Sequence, residues 1–330
     1  MVLWKDATKF SIFSWTRLQI SPTALRYNFP LRQLYVESFV DRGASAWFCD
    51  GTFKVVPSLF YQLCTIHALK NGITVPMVYG LLTNKTVATH RRFFQAVIDN
   101  IGPCAAQTLY TDFEMAAINA ARDTISEVQI QGCFFHLAQS VYRKLCPLGF
   151  QARYATDETF AVKDSLFWPM KMLLASAFLP AGDIPEAFQD IMEAFSPEAI
   201  QVADYFEDVY IGRPRRNGIC SAQLPPKMWS VHEATVGGMP QTNNSVEAWH
   251  YGLQSNVSCA SPNFWAFLKS LKKEQAITEL KLSQAASGVV STRVSRKRAG
   301  HDRRLRAILH RYDGTNNLDI VEACARRISL

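Results

Sequence analysis

The sequence predicts a mixed α/β protein whose five-stranded sheet is flanked by helices. Between Ala46 and Lys85, three short runs rich in aromatic and β-branched residues follow one another and are separated by turn residues, which is typical of antiparallel strands. After Lys85, segments with helical spacing alternate with two further short apolar runs. The resulting order, β-β-β-α-β-α-β-α, differs from that of a doubly wound nucleotide-binding fold.

The elements of this predicted core follow from local patterns. The first three strands are predicted at Trp47–Cys49, Leu59–Leu69 and Thr74–Leu82, and the Asn71-Gly72 pair is a hairpin signal. The elements after them are a helix that starts near Thr86 or Thr89 and reaches Ile101, a strand at Gln107–Thr111, a helix at Glu114–Ile125, a strand at Val128–Cys133 and a helix at Phe135–Leu145.

Five parts are predicted along the chain. They are a lead-in segment at 1–44 with a helix around Leu31–Phe39, the first part of the core at 45–150, a mainly helical insertion at 151–240, the last catalytic helix and the helix after it at 241–286, and a basic C-terminal tail at 287–330. The insertion is expected to be all-helical up to a loop at Gly212–Pro226. The two helices after it are predicted at Asn243–Val257 and from Ser261-Pro262 to Ala286.

Charge is unevenly distributed in this chain of 330 residues, which has a formal net charge of +7. Seven basic residues and one acid lie between Arg293 and Arg306, whereas eleven acids and two lysines lie between Ala155 and Tyr210. A polyanion is therefore expected to avoid the acidic segment. No uninterrupted apolar run is long enough to cross a membrane, and the first residues do not resemble a secretory signal, so an intracellular location is expected.

Three acidic residues that are far apart in the sequence are candidates for one metal site. Asp50 and Asp112 each follow a predicted strand, so in neighbouring strands their carboxylates would lie side by side, which is unfavourable unless a cation joins them. Glu247 lies on the polar side of the predicted Asn243–Val257 helix. Carboxylate oxygens suit Mg²⁺ or Mn²⁺ rather than zinc, and two such ions in one site favour phosphodiester cleavage and strand transfer. Taken singly, each residue also fits an ordinary interpretation as a turn, helix-cap or solvated residue.

Five blocks between residues 45 and 260 have the composition and the order of a known family. The blocks are Cys49-Asp50-Gly51-Thr52-Phe53 with Gln62-Leu63-Cys64-Thr65-Ile66-His67; Val75-Pro76 through Leu81-Leu82 with Asn84-Lys85-Thr86; Thr111-Asp112-Phe113-Glu114; Gly132-Cys133-Phe134-Phe135-His136-Leu137; and Tyr205-Phe206, Tyr210-Ile211-Gly212 and Thr242-Asn243-Asn244-Ser245-Val246-Glu247 with Trp249-His250. In these blocks the sequence resembles the Mutator-like element (MULE) transposases.

The resemblance implies a ribonuclease H-like catalytic domain with an all-helical insertion before the last catalytic helix. It matches Asp50, Asp112 and Glu247 to a DDE triad that binds two Mg²⁺ or Mn²⁺ ions, and it places Asn243, Asn244 and His250 near the site. The implied activity is cleavage and transfer of DNA strands, with transposon ends and target DNA as partners. A homo-oligomer in the active state, no membrane association and a nuclear location are further expectations.

A second metal site is conceivable at Cys133 and His136, whose C-x-x-H spacing supplies half of a zinc site. Cys146 or His232 would have to contribute to the remaining ligands. The alternative is a packed cysteine and a histidine that hydrogen-bonds near the acidic site.

The basic segment and the triad leave other functions open. The candidate nucleic-acid-binding residues are Arg296, Lys297, Arg298, Arg303 and Arg304. They would act as a nuclear localisation signal, as phosphate contacts, or as a solvated helix face. The main functional alternative is a domesticated, transposase-derived nuclear protein that binds DNA or regulates without catalysis. An exonuclease of the same fold would require a second acid two residues after Asp50, where this sequence has Thr52.

Overall fold

The computed structural model of the chain consists of two compact units. The first comprises Met1–Ile130 and Asn243–Thr292, and the second Gln131–Thr242 and Arg293–Leu330. The residues that the structure describes are 2–3, 18–19, 33–37, 44–70, 72–101, 106–150, 168–197, 199–215, 218–257, 261–287 and 296–328. The predicted turn residue Asn71, residues 151–167 of the insertion and residues 288–295 of the predicted tail lie outside this described part.

The main sheet contains all five predicted strands. Its eight strands are β1 (Val2–Leu3), β2 (Leu18–Gln19), β3 (Gln33–Glu37), β4 (Ala46–Thr52), β5 (Gln62–Lys70), β6 (Ile73–Leu82), β7 (Thr108–Thr111) and β8 (Gln129–Gly132). They lie in the order β2-β1-β3-β6-β5-β4-β7-β8. The predicted mixed sheet is therefore confirmed, and three strands from the lead-in segment extend it at the β6 edge.

The predicted helix around Leu31–Phe39 is wrong, because Gln33–Glu37 forms strand β3. This strand pairs antiparallel with β6, from Gln33 opposite Leu82 to Glu37 opposite Val78. The segment QLYVE has an aromatic and a β-branched residue, which favour strands, and the pairing satisfies the backbone groups at the free edge of β6.

Strand β4 is the strand on which the candidate site depends. It pairs antiparallel with β5 and parallel with β7, where Cys49 is the partner of Thr111. Continuing this parallel register by one residue brings Asp50 beside Asp112. Asp50 itself lies inside β4, which continues two residues beyond it and so past the predicted end of the strand.

Helices in the first unit cover both faces of the sheet. They are Val87–Ile101, Met115–Thr124, Asn244–Val257 and Phe264–Ala286. The last begins two residues after the predicted start, since the Asn263 side chain caps it by accepting a hydrogen bond from the Ala266 N–H (2.9 Å).

One face of the sheet packs against the last two of these helices. A buried cluster joins loop residues Val55, Val56 and Phe60 to strand residues Leu63, Tyr79 and Leu81 and helix residues Leu253, Phe267 and Leu271. Asp50 pairs with Thr65, and Thr65 with Tyr79. Because paired residues point to the same face, Asp50 faces the side covered by the Asn244–Val257 helix.

The opposite face packs against the Val87–Ile101 helix, and this contact depends on a glycine. Gly80 of β6 lies so close to Phe93 that a Cβ at this position would be 2.6 Å from Cε2 of the ring. Phe93 is fully buried. The absence of a side chain at Gly80 therefore allows the helix to approach the sheet.

The second unit is mainly helical, and its one described hairpin lies in the segment predicted as a loop. The helices are Phe134–Leu145, Trp168–Ala175, Ile184–Met192, Ile200–Phe206, His232–Val236, Arg296–Leu309 and Asn317–Ala325. The predicted loop at Gly212–Pro226 contains a hairpin of β9 (Gly212–Arg215) and β10 (Gly218–Ser221). Arg213 at its start forms ion pairs with Asp204, Glu207 and Asp208, so acids at the end of the preceding helix hold the beginning of the hairpin.

The region predicted as a basic tail contains the last two helices of this unit. Leu305 and Leu309 of one helix and Ile320, Val321 and Cys324 of the other are buried. Their apolar residues recur at three- and four-residue steps, which is the spacing of a packed helix face. Among the described residues, no helix is long and apolar enough to cross a membrane.

Replacing Gly80 by Ala should destabilise the protein by about 1–3 kcal/mol, because the new methyl group must displace a buried aromatic ring. The matched control is Gly252→Ala in the Asn244–Val257 helix, where a Cβ would meet no atom within 4 Å. This change should stabilise the protein by about 0.5–1 kcal/mol through helix propensity. Urea unfolding of both variants measures the difference, and equal free energies of unfolding would contradict the proposed role of Gly80.

Candidate active site

Asp50 is a buried carboxylate whose two oxygens have different partners. Only 9% of its side chain is exposed. Its Oδ1 accepts a hydrogen bond from the backbone N–H of Gly51 (2.8 Å), and its Oδ2 accepts one from Nδ2 of Asn243 (3.2 Å). The carboxylate is thus fixed both by its own strand and by the start of the Asn244–Val257 helix.

Asp112 follows β7 directly and lies before the Met115–Thr124 helix. Its Oδ1 accepts a hydrogen bond from the backbone N–H of Glu114 (3.2 Å), which orients the side chain in the turn between strand and helix. Asp112 is therefore both a turn residue and, through the parallel pairing of β4 with β7, a neighbour of Asp50.

Glu247 lies in the first turn of the Asn244–Val257 helix. Residues 243, 247 and 250 are spaced four and three apart, so they share one helix face. Asn243 and His250 both contact Asp50, which directs this face towards β4. Asn244, also predicted near the site, is exposed at the start of the helix.

The negative charges of Asp112 and Glu247 both act on Asp50. Burial raises the pKa of Asp50 to about 7, and the negative charges of Asp112 and Glu247 contribute to the increase. The Gly51 N–H opposes the increase because it favours the ionised form. Residues separated by 62 and 135 positions along the chain are thus brought into one acidic site.

Two residues of β5 belong to this site although sequence analysis assigned them no role. The Thr65 hydroxyl donates to the backbone oxygen of Asp50 (3.3 Å). Its oxygen lies 3.1 Å from Nε2 of His67 and 3.3 Å from Nε2 of His250. Both imidazoles therefore lie within hydrogen-bonding distance of the Thr65 hydroxyl, and the tautomer of each ring decides which atom donates. The sequence does contain a signal for these two residues, because they are polar and stand at alternate positions of an otherwise apolar strand.

Both imidazoles are neutral at neutral pH. Burial lowers the pKa of His250 to about 4, and burial together with the proximity of His250 lowers the pKa of His67 well below its usual range. Nδ1 of His250 lies 3.6 Å from Oδ2 of Asp50. It therefore contacts the carboxylate without adding a positive charge, so the histidines do not neutralise the acidic site.

The donor set of this site fits a hard divalent cation. Asp50, Asp112 and Glu247 offer oxygen ligands only, which Mg²⁺ and Mn²⁺ prefer. A cation would also relieve the cost of like charges in a buried place, which is expressed in the raised pKa of Asp50. In the described part of the chain, no group of three or more His, Cys, Asp or Glu residues is close enough together to hold a metal ion. The charges of Asp112 and Glu247 therefore act on Asp50 at a distance, but the three acids are not arranged as a complete set of metal ligands.

Cys133 and His136 lie in the second unit, at the start of the Phe134–Leu145 helix. Cys133 is buried at the N-cap position, and His136 is half-buried in the first turn. The two other residues considered for zinc have protein partners: Sγ of Cys146 donates to the Tyr142 backbone oxygen (3.4 Å), and Nδ1 of His232 lies 2.8 Å from the Phe178 backbone oxygen. No group of three ligands around this pair exists among the described residues.

The candidate nucleic-acid-binding residues lie on the Arg296–Leu309 helix of the second unit. Arg303 and Arg304 are exposed, and Arg306 is exposed as well, while Leu305 and Leu309 are buried beneath them. The described features of Arg296, Lys297 and Arg298 are limited to their place in this helix.

Comparison with known proteins identifies one family. Residues 46–140 match the MULE transposase domain, which confirms the resemblance found in the motifs. The matched stretch contains Asp50 and Asp112, whereas Glu247 lies outside it. The mixed sheet with flanking helices is consistent with the expected ribonuclease H-like fold. No curated protein and no solved structure matches the chain.

The raised pKa of Asp50 predicts a pH-dependent stability in metal-free protein. The folded state holds this proton more tightly than the unfolded chain, so its contribution is present at about pH 4 and is lost as the pH rises to about 7. The free energy of unfolding should fall by about 4 kcal/mol from this group over that range. Asp50→Asn should remove this contribution to the decrease of the unfolding free energy with pH.

The measurement is urea unfolding between pH 4 and pH 8 in EDTA, comparing wild type with Asp50→Asn. Asp123→Asn is the matched control, because Asp123 is half-exposed in a surface ion pair with Arg91 and should leave the slope unchanged. Identical slopes for wild type and Asp50→Asn would show that Asp50 titrates normally.

Proposed function

We propose that this chain, which contains a MULE transposase domain at residues 46–140, cleaves DNA and transfers DNA strands with Asp50, Asp112 and Glu247 as the catalytic acids. The observation on which the proposal rests is the convergence of these three carboxylates, two of which lie in the matched domain. The acids offer oxygen ligands of the kind that Mg²⁺ and Mn²⁺ prefer, and the neutral His250 adds no positive charge beside Asp50.

The three acids would hold two Mg²⁺ or Mn²⁺ ions. When bound, such ions activate a water molecule or a 3′-hydroxyl and stabilise the leaving oxygen of a phosphodiester. The other residues of the site orient the acids. Asn243 and the Gly51 N–H each hold one oxygen of Asp50, and the Glu114 N–H holds Oδ1 of Asp112.

Thr65 and the two histidines would keep the back of the site rigid and uncharged. Their hydrogen bonds fix the main chain of β4 at Asp50 and the helix at His250 relative to each other. Because these groups carry no positive charge, they would not compete with a cation for the carboxylates.

DNA would be bound through its phosphates by exposed basic residues. Arg303 and Arg304 are exposed on a helix anchored by the buried Leu305 and Leu309, so their guanidinium groups can reach a polyanion. The same basic segment is proposed to serve nuclear import, in keeping with DNA as the substrate.

Asp112→Asn should abolish metal-dependent nicking of supercoiled plasmid DNA. The amide oxygen can still accept the Glu114 N–H hydrogen bond, so the fold is preserved while a ligand charge is lost. The rate in Mg²⁺ or Mn²⁺ should fall by at least about a hundredfold, since loss of a metal ligand removes several kcal/mol of transition-state stabilisation. Asp123→Asn, at an exposed acid of the same unit, is the matched control and should nick at the wild-type rate.

Mn²⁺ binding by calorimetry separates a catalytic failure from a failure of the metal site. Equal Mn²⁺ affinity in wild type and Asp112→Asn would overturn the metal assignment. DNA binding that persists in all three acid variants, without nicking by the wild type, would favour the non-catalytic, domesticated protein instead.

Replacing Arg303 and Arg304 by Ala together should weaken binding to duplex DNA and make its salt dependence shallower. Each lost phosphate contact changes the slope of log K against log salt by about 0.9, so two contacts predict a change of about 1.8. Arg326→Ala is the control, because this exposed arginine of the same unit already contacts Glu322 and the Trp168 ring. Fluorescence anisotropy over a range of salt concentrations gives the slopes, and an unchanged slope would exclude these residues from the interface.

A further inference from the structure

The loop after β4 exposes two aromatic rings close to the acidic site. Phe53 is 50% exposed and Tyr61 is 46% exposed. Their ring centroids are 5.4 Å apart with an interplanar angle of 76°, an edge-to-face pair. In an edge-to-face pair, the edge of one ring covers only part of the face of the other. The remaining aromatic surface is therefore open to a planar partner.

The position of the pair relative to the acids is set by the chain. Phe53 is three residues after Asp50, which limits the distance between their Cα atoms to about 11 Å. One nucleotide advances a DNA strand by about 3.4 Å, so this distance corresponds to a few nucleotides. A strand bound with a phosphate at the acids and running past the end of β4 would reach the rings within a few nucleotides.

The loop that presents the rings is held firmly. Val55, Val56 and Phe60, which alternate with its exposed residues, are buried in the core cluster. The Phe60 N–H donates to the Pro57 oxygen (2.9 Å), and the Tyr61 N–H donates to the Leu82 oxygen (2.7 Å). The rings are thus exposed on an ordered support, and little conformational entropy would be lost when a ligand stacks on them.

The charge beside the rings matches a nucleotide. Lys54 is exposed and follows Phe53 directly. A ligand that combines a planar base with a phosphate can contact both the aromatic face and the neighbouring lysine. A purely apolar protein partner would contact the rings but not the lysine charge.

We propose that Phe53 and Tyr61 form a stacking site for an unpaired nucleobase of a DNA strand, with Lys54 contacting an adjacent phosphate. The inference rests on the proposed function, since it takes the DNA at the acidic site as the source of the strand. The further point is that at least one base of the bound strand is unpaired near the point of cleavage. Stacking on aromatic side chains tolerates any base, so this site supplies affinity and position rather than sequence recognition.

The test is binding of a single-stranded oligonucleotide that contains 2-aminopurine, a base whose fluorescence is quenched when it stacks. The full chain is titrated in EDTA, where no cleavage occurs, so the result is independent of catalysis. Phe53→Ala and Tyr61→Ala should each raise Kd by about fivefold or more and reduce the quenching. Tyr61→Phe, which keeps the ring, should bind like wild type.

Two matched variants make the assignment specific. Leu59→Ala removes a side chain that is 63% exposed in the same loop but not aromatic, and it should leave both Kd and quenching unchanged. Lys54→Ala should make the salt dependence shallower by about 0.7, the value for one phosphate of a single strand, whereas Phe53→Ala should not alter it.

Wild-type Kd and quenching in Phe53→Ala and Tyr61→Ala, with thermal unfolding confirming that both variants fold, would overturn the proposal. A change in sedimentation of these variants with unaltered oligonucleotide binding would also overturn it, because the rings would then contact a second copy of the chain. Failure of the proposed function alone would give a different result. Stacking would be seen with intact rings and lost in Phe53→Ala and Tyr61→Ala, equally in wild-type and Asp112→Asn backgrounds, while no plasmid is nicked in any metal.

Discussion

The site depends on the burial of Asp50 near two further negative charges, those of Asp112 and Glu247. Parallel pairing of β4 with β7 makes Asp50 and Asp112 neighbours, and the Asn244–Val257 helix adds Glu247 on the same side. In a buried place this arrangement is unfavourable, and it is expressed as a pKa of about 7 for Asp50. The surrounding residues reduce this cost only in part, with hydrogen bonds from Gly51 and Asn243. Such a site is suited to a cation, because the binding of positive charge removes the repulsion that the fold maintains.

The remainder of the first unit holds the acids in place. Helices cover both faces of the sheet, so strands β4 to β8 are buried over most of their length and their polar residues must find partners inside the protein. Thr65 and His67 do so by bonding to each other and to the site. On the opposite face, Gly80 allows Phe93 to pack directly against the sheet. Rigid packing on one face therefore supports the position of charged groups on the other.

Much of the fold was predictable because local patterns agreed with the final packing. The runs at Trp47–Cys49, Leu59–Leu69 and Thr74–Leu82 became β4, β5 and β6, and Asp112 follows β7 as expected. The predictions failed where pairing with a distant segment decides the structure. The segment QLYVE at Gln33–Glu37, predicted within a helix, is a strand in the structure because it pairs with β6. The hairpin of β9 and β10 is a different case, since it pairs adjacent residues that a loop rich in Gly, Pro and Arg does not reveal.

The sequence by itself determined which residues were available for metal chemistry: the two aspartates near the ends of apolar runs and the glutamate on a polar helix face. Spacing along the chain could not show which of them meet, because 135 residues separate Asp112 from Glu247. Tertiary structure decided that the Asn243–His250 face turns towards Asp50, that Thr65 and His67 complete the network, and that Phe53 and Tyr61 are exposed side by side. The physical reason is that electrostatic interaction and hydrogen bonding act over a few ångströms in space, and only the packed sheet and helices bring such distant residues within that range.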